Sequence, residues 1–379
     1  MHMADALLAP AVAATMYVAS GTAAGISIHN LKKDVAEIKL PTMGIMAAVV
    51  FAGQMINYTI PGTGSSGHLC GGMMLSALLG PYAGFLSMIV VLTIQCLFFA
   101  DGGLMALGAN VWNMAFYGCF VGYFLIFRPI MKAKWGNTRI RLIVASILGC
   151  IITLQLGAFS VCLETLASGI TELSFGAFVA LMQPIHLAIG LVEGLITAAV
   201  LVFVYQTRPE LIEVVGERET KPAAWSAKKV LICLAIFALL VGGIGSQFAS
   251  SHPDGLEWAL FGNEEAGYNA NMGLDEENYG KSGSVSEAAE AVQEKTAFLP
   301  DYAFANDEEN ALGTTVSGIV GSVIVAGVAV GISAAAGFFR KKKHAYSSSS
   351  GSMIPEVTAF FRPNLYEGRM SKGILPFVR

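Results

Sequence analysis

Charge is what this chain has least of. Only 13% of its 379 residues are Asp, Glu, Lys or Arg, against roughly 25% in soluble domains. So small a share over this length excludes water as the main solvent and leaves lipid. Catalytic signatures are missing too: there is no HExxH and no GxSxG. Gly273 to Gly280-Lys281-Ser282 superficially matches a phosphate-binding loop, but six residues separate its glycines where the loop requires four. ATP hydrolysis, if it powers this chain, belongs to other chains. The six cysteines, Cys70, Cys96, Cys119, Cys150, Cys162 and Cys233, form no CxxC pair and no disulfide framework. They lie in or beside apolar runs and read as small packing residues. No basic segment precedes the first apolar run, so the start does not read as a signal peptide. With the large His2 following it, Met1 is expected to stay in place. No catalytic cofactor and no nucleic-acid partner is expected.

What is abundant is apolar sequence. Hydrophobic residues make up 54% of the chain, with 42 Gly and 16 Met. Runs near the ~20 residues that span a bilayer occur at about 7–29, 41–59, 81–100, 104–128, 140–165, 178–206, 230–248 and 314–339. A shorter stretch, 67–80, becomes a crossing when it is packed among neighbours. Counting it gives an all-α, polytopic transmembrane bundle of about nine passages. With the N-terminus outside and the C-terminus cytoplasmic, the connections 30–40, 128–141 and 207–229 and the C-terminal tail face the cytoplasm. These hold 21 of the 23 Lys and Arg residues, as the positive-inside rule requires. The loop 249–313 falls outside and carries 14 of the 27 acidic residues. Dropping the 67–80 passage would put two basic loops on opposite sides. The chain divides into a seven-passage unit over 1–207, a charged cytoplasmic linker over 208–229, a two-span part over 230–344 and a flexible tail over 345–379.

Six histidines are present: His2, His29, His68, His186, His252 and His344. In the N-out topology His2 and His68 share the outer surface. A free N-terminus followed by X-His offers three donors in one chelating strand: the Met1 amine, the His2 backbone nitrogen and the His2 imidazole. A metal that favours tetragonal nitrogen ligation, such as Ni(II) or Cu(II), completes a near-planar set with one more imidazole. His68, on the Gly62-Thr63-Gly64-Ser65-Ser66-Gly67 loop, is placed to supply it. Spacing alone also admits a blander reading, with His2 a frayed terminus and His68 a helix-start side chain.

Met1-His2-Met3-Ala4-Asp5-Ala6-Leu7-Leu8-Ala9-Pro10 resembles the opening of the substrate-capture membrane subunit of cobalt/nickel energy-coupling-factor transporters, the CbiM/NikM family. The likeness continues through Gly64-Ser65-Ser66-Gly67-His68-Leu69-Cys70-Gly71-Gly72 and Phe99-Ala100-Asp101-Gly102-Gly103-Leu104. It extends through Leu107 to Met114 and His186 to Gly194, covering about 1–207 in order. The family's commoner opening has Ile-Pro-Asp-Gly after the His, and Met3-Ala4-Asp5-Ala6 departs from it. Ser251-His252-Pro253-Asp254-Gly255-Leu256-Glu257 and Leu299-Pro300-Asp301-Tyr302 resemble the PDGLE-type companion subunit, which makes the chain look like a fusion. The resemblance implies that Met1, His2 and His68 ligate a transported Co(II) or Ni(II). It also implies a transmembrane coupling subunit (CbiQ/NikQ-like) and cytoplasmic ATPases (CbiO/NikO-like) as partners, in a bacterial or archaeal cell membrane.

Other polar residues carry two readings each. Asn110 and Asn113, with Ser66, either orient the metal ligands or tie helices together. His186 and Glu193, two turns apart on one face, are either a satisfied intramembrane pair or a relay for the ion. His252 and the acidic loop either concentrate cations or are simply solvated. Gly21 and Gly25 offer a close-approach surface to another membrane subunit or to the bundle itself. Two other functions fit a membrane metal site: a metal-dependent enzyme, which would need an open metal position and a general base, and a sensor or passive channel.

Overall fold

The computed structural model describes residues 1–31, 33–170, 174–216, 224–268, 272, 274, 279–281, 283–304 and 311–350, and it is dominated by helices. Helix α1 covers Pro10–Asn30 and α2 covers Lys33–Gln54. An antiparallel hairpin of β1 (Tyr58–Ile60) and β2 (Ser65–Gly67) follows, and then the short helix α3 (Gly72–Leu79). Helices α4 (Pro81–Phe99), α5 (Leu107–Lys132), α6 (Thr138–Ala167) and α7 (Phe175–Thr207) complete the first part. The second part holds α8 (Ala227–Gly243), α9 (Gly255–Phe261), α10 (Ser284–Thr296) and α11 (Ala311–Ser350). The fold is that of an all-α polytopic membrane protein. Among the described residues six helices are long and apolar enough to cross a bilayer: α1, α4, α5, α6, α7 and the Leu312–Ile332 portion of α11. The apolar runs at 41–59, 67–80 and 230–248 coincide with the shorter helical stretches Pro41–Gln54, α3 and α8.

Local chemistry sets the helix starts. Pro10 and Pro81 open α1 and α4, where a missing N–H costs nothing. The Asn137 side chain accepts from Ile140 N at 2.9 Å to cap α6, and Ser226 does the same for α8. Helix α5 carries i→i+5 hydrogen bonding from Val111 to Phe127. Helix α3 is short and fully buried, from Gly72 to Leu79. Its start is held by Glu193, near the middle of α7. A Cβ on its C-terminal Gly80 would lie 2.9 Å from Glu213 Oε1, beyond the last turn of α7. Eight residues of helix rise about 12 Å, less than the thickness of a bilayer core.

Packing is by small residues and flexible apolar side chains. Helices α6 and α7 lie along each other, with Gly190 and Gly194 against the α6 backbone. Helices α8 and α11 touch at Gly242 and Gly318, where a Cβ on Gly242 would stand 2.9 Å from the Gly318 carbonyl oxygen. Gly21 and Gly25 on α1 have open space in front of them, while Ala23 is buried. Five cysteines are buried and Cys233 is exposed, all as free thiols.

By packing, the chain divides into Met1–Gly337 and Phe338–Arg379. The second unit is described as far as Ser350, where α11 ends, past residue 345 at which a flexible tail was expected. The remainder of that tail, 351–379, lies outside the described residues. The region expected to be an acidic loop, 249–313, contains α9 and α10.

Candidate metal centre

The first residues of the chain run into the protein and are fixed there by the backbone. Met3 N donates to Asn110 Oδ1 at 2.7 Å and Asn110 Nδ2 donates back to the Met3 carbonyl at 3.2 Å, a carbonyl that also accepts from Gly103 N at 2.9 Å. Two residues on, the Asp5 carboxyl accepts from Met105 N and Ala106 N. Gly102 has φ +79, and a Cβ there would meet Asn110 Nδ2 at 2.8 Å and His2 Cβ at 3.2 Å. Only glycine allows the α4–α5 connection to lie this close to the terminus.

This anchoring delivers the Met1 amine to His68. The amine stands 3.4 Å from His68 Nε2. His68 Nδ1 lies 3.0 Å from the Leu69 carbonyl, which can only accept, so Nδ1 carries the proton and the neutral ring offers its lone pair at Nε2. Burial, reinforced by the neighbouring amine and His2, pushes the His68 pKa down to about 4, so the ring is neutral at physiological pH. The His2 ring stacks on His68, centroids 5.3 Å apart, with Nδ1 3.1 Å from Asp101 Oδ1. Burial lowers the His2 pKa too, against the opposing pull of Asp101. A cavity of about 10 Å³, close to one water in size, opens between Met1, His68, Cys70, His186 and Asp254.

The other residues singled out in the sequence divide into those at this cavity and those that brace it. Asn110 grips Met3, as described. Asn113 Nδ2 donates to Glu164 Oε2 at 2.8 Å and approaches Met3 Sδ at 3.7 Å. The pairing of His186 with Glu193 is not what the structure has. Glu193 accepts from Cys70 N and Gly71 N, both at 2.9 Å, because the start of α3 offers unbonded N–H groups that a carboxyl can take. His186 bonds Met182 O through Nδ1 and leaves Nε2, buried without a hydrogen-bond partner, at the cavity. Ser66 reaches neither the amine nor a ring: its Oγ donates to the His252 carbonyl and its N to the Pro253 carbonyl, both at 2.8 Å.

Those bonds bring in residues that carried no assigned role in the sequence. Asp254 Oδ2 accepts from the Met1 amine at 2.6 Å and lies 3.9 Å from His68 Nε2. Burial opposes its ionisation, but the amine and His68 outweigh burial and hold its pKa below the usual carboxylate range. Glu257 beside it is raised to about 7, first by the Asp254 charge and then by burial. Tyr302 Oη donates to Asp101 Oδ2 at 2.5 Å. The PDGLE-like and LPDY segments were the available signals, and each turns out to touch the terminal cluster. Outside it, a vestibule of about 440 Å³ is lined by Asp101, Asp254, Glu257, Glu290 and Asp301. Among the described residues no group of three or more His, Cys, Asp or Glu side chains is arranged to hold a metal.

Residues 2–211 match the family model described as the cobalt uptake substrate-specific transmembrane region, and residues 228–337 match the PDGLE domain. A relative from Archaeoglobus fulgidus is 36% identical over 332 residues, 86% of this chain and 95% of that one. The fused nickel transport protein NikMN of Rhodobacter capsulatus is 29% identical over 351 residues, 86% of this chain and 96% of that protein. A crystal structure of a truncated transition metal transporter is 30% identical, with a TM-score of 0.47, over 54% of this chain and 98% of that one.

Proposed function

The chain belongs to the family of cobalt-uptake substrate-specific transmembrane regions, here joined to a PDGLE domain, and from that premise we propose that it is the substrate-binding membrane component of an energy-coupling-factor transporter importing cobalt or nickel. It is a multi-pass membrane protein and a transporter subunit rather than an enzyme. We assign it nine passages with the N-terminus outside, in a bacterial or archaeal cytoplasmic membrane. A transmembrane coupling subunit and cytoplasmic ATPases supply the energy.

The ion is held by the Met1 amine, the His2 backbone nitrogen and imidazole, and His68. The observation that carries this reading is the 3.4 Å approach of the Met1 amine to a His68 Nε2 whose lone pair is set by the Leu69 carbonyl. Ligand nitrogens bind only without their protons. His68 needs no such step, whereas the amine releases one proton and the His2 backbone nitrogen another. The His2 ring gives up Asp101 to turn Nδ1 to the ion. The acidic vestibule raises the local cation concentration, and the ion-sized cavity admits a cation only after it has lost its water.

The test lengthens the terminus. With one residue added before Met1, the amine leaves its seat beside Asp254, and affinity for Ni(II) and Co(II) should fall by about a hundredfold or more while the protein still folds, at a lower melting temperature because the Asp254 carboxylate loses its cationic partner. Competition titration of untagged and extended protein measures it. Equal affinity would remove the amine from the site.

A further inference from the structure

We propose that Asp254 supplies an oxygen ligand to the transported ion, so that the fused PDGLE part completes the capture site. The proposal rests on the site read above and adds one donor to it. Asp254 Oδ2 is 2.6 Å from the Met1 amine and 3.9 Å from His68 Nε2, and those two nitrogens are 3.4 Å apart. A triangle with these sides has all three corners about 2 Å from one interior point, the length of a transition-metal bond to nitrogen or oxygen. One ion placed there reaches all three atoms without any of them moving, and the cavity between Met1, His68 and Asp254 is of single-ion size.

The carboxyl is aimed by its other contacts. Oδ1 is taken by Leu256 N at 2.7 Å and Glu257 N at 3.0 Å, capping α9, while Asp254 N donates to Glu257 Oε2 at 3.1 Å. This reciprocal cap fixes the rotamer and leaves Oδ2 free to face the amine. The Ser66 bonds to His252 and Pro253 fix the strand that carries it. Gly255 keeps it close: a Cβ there would lie 2.6 Å from Ile185 and 3.1 Å from His186.

Charge points the same way. The Asp254 side chain is 16% exposed, and a carboxylate so placed needs a cationic partner. In the empty protein the terminal ammonium is that partner. Loading takes the ammonium proton away, and the divalent ion replaces it. A 2+ ion bound to one deprotonated backbone nitrogen and one carboxylate forms a neutral complex, the form least costly to bury.

The test uses the full chain with a native terminus. Asp254→Asn retains the helix cap through Oδ1, since Asn caps as well as Asp, and replaces the anionic oxygen that faces the Met1 amine with an amide NH2, which cannot ligate. We expect its affinity for Ni(II) and Co(II) to fall by about ten- to a hundredfold. The visible and X-ray absorption spectra of bound Co(II) should change with loss of an oxygen neighbour. Unchanged affinity and spectra, with binding still abolished by N-terminal extension, would overturn the ligand assignment and leave the capture site standing. Lower affinity with an unchanged spectrum would make Asp254 a positioning residue and also overturn it. If neither D254N nor the extension altered binding, the capture site itself would fall. Should D254N fail to fold, D254E decides on the same readouts: a shifted Co(II) spectrum supports the proposal and an unaltered one overturns it.

Discussion

His68 becomes a usable ligand through two local facts, burial and the Leu69 carbonyl at Nδ1. Their cost shows in acid. The folded ring resists protonation down to about pH 4, whereas an unfolded histidine takes up its proton near 6.5. Between these limits the unfolded chain binds more protons, so His68 lowers stability as pH drops from 6.5 toward 4, by an amount on the order of 1 kcal/mol per pH unit. Glu257, raised to about 7, acts the opposite way, so wild type must be compared with a variant. His68→Gln should lose less stability than wild type on going from pH 7 to pH 4.5, read from melting temperatures in detergent. Parallel curves would show that the ring is not held neutral. The approach of Met1 to His68 was expected from the family resemblance, since the X-His start and the histidine on a Gly-Ser loop by themselves also admitted a frayed terminus and a helix-start side chain. Asp254 and Tyr302 were not expected there. Nothing local to either marks a partner some two hundred residues or more away in the sequence.

Elements explain how a donor set gathered from such distant segments is kept in register. Helix α3 is the pivot: Glu193 of α7 takes both N–H groups at its start, and His68 is two residues before them. Glu193→Gln puts an amide donor against a donor. It should cost about 2 kcal/mol and weaken metal binding together with the fold. Melting temperature and Ni(II) affinity in one preparation test the coupling, and a change in neither would show that Glu193 does not hold the loop. Long apolar helices were legible from run length. The hairpin and α9 were hidden, because they are short and are joined by bonds from Ser66 to the His252 and Pro253 carbonyls, far away in the sequence. Helix α10 could have been read from its alternation of Ala, Val and Glu, but the acidity of its surroundings suggested a solvated loop. It is seated by Gln293, which donates to the Cys96 and Gly102 carbonyls.

At the scale of the whole molecule, the asymmetry of charge is the ground for the proposed sidedness. Nearly all Lys and Arg residues lie in segments assigned to the cytoplasm, and the acidic vestibule opens beside the terminal cluster. In a Cys233→Ser background, a membrane-impermeant thiol reagent applied to intact cells should label Gly283→Cys, an exposed position with open space around it, and spare Lys134→Cys. The reverse pattern would invert the topology. The most direct measurement is anomalous diffraction at the metal edge from crystals of the loaded chain carrying no N-terminal addition. One strong peak within about 2.2 Å of both the Met1 amine nitrogen and His68 Nε2 is the expected result. A peak elsewhere, with those two atoms unliganded, would contradict capture of the ion by the chain's own terminus.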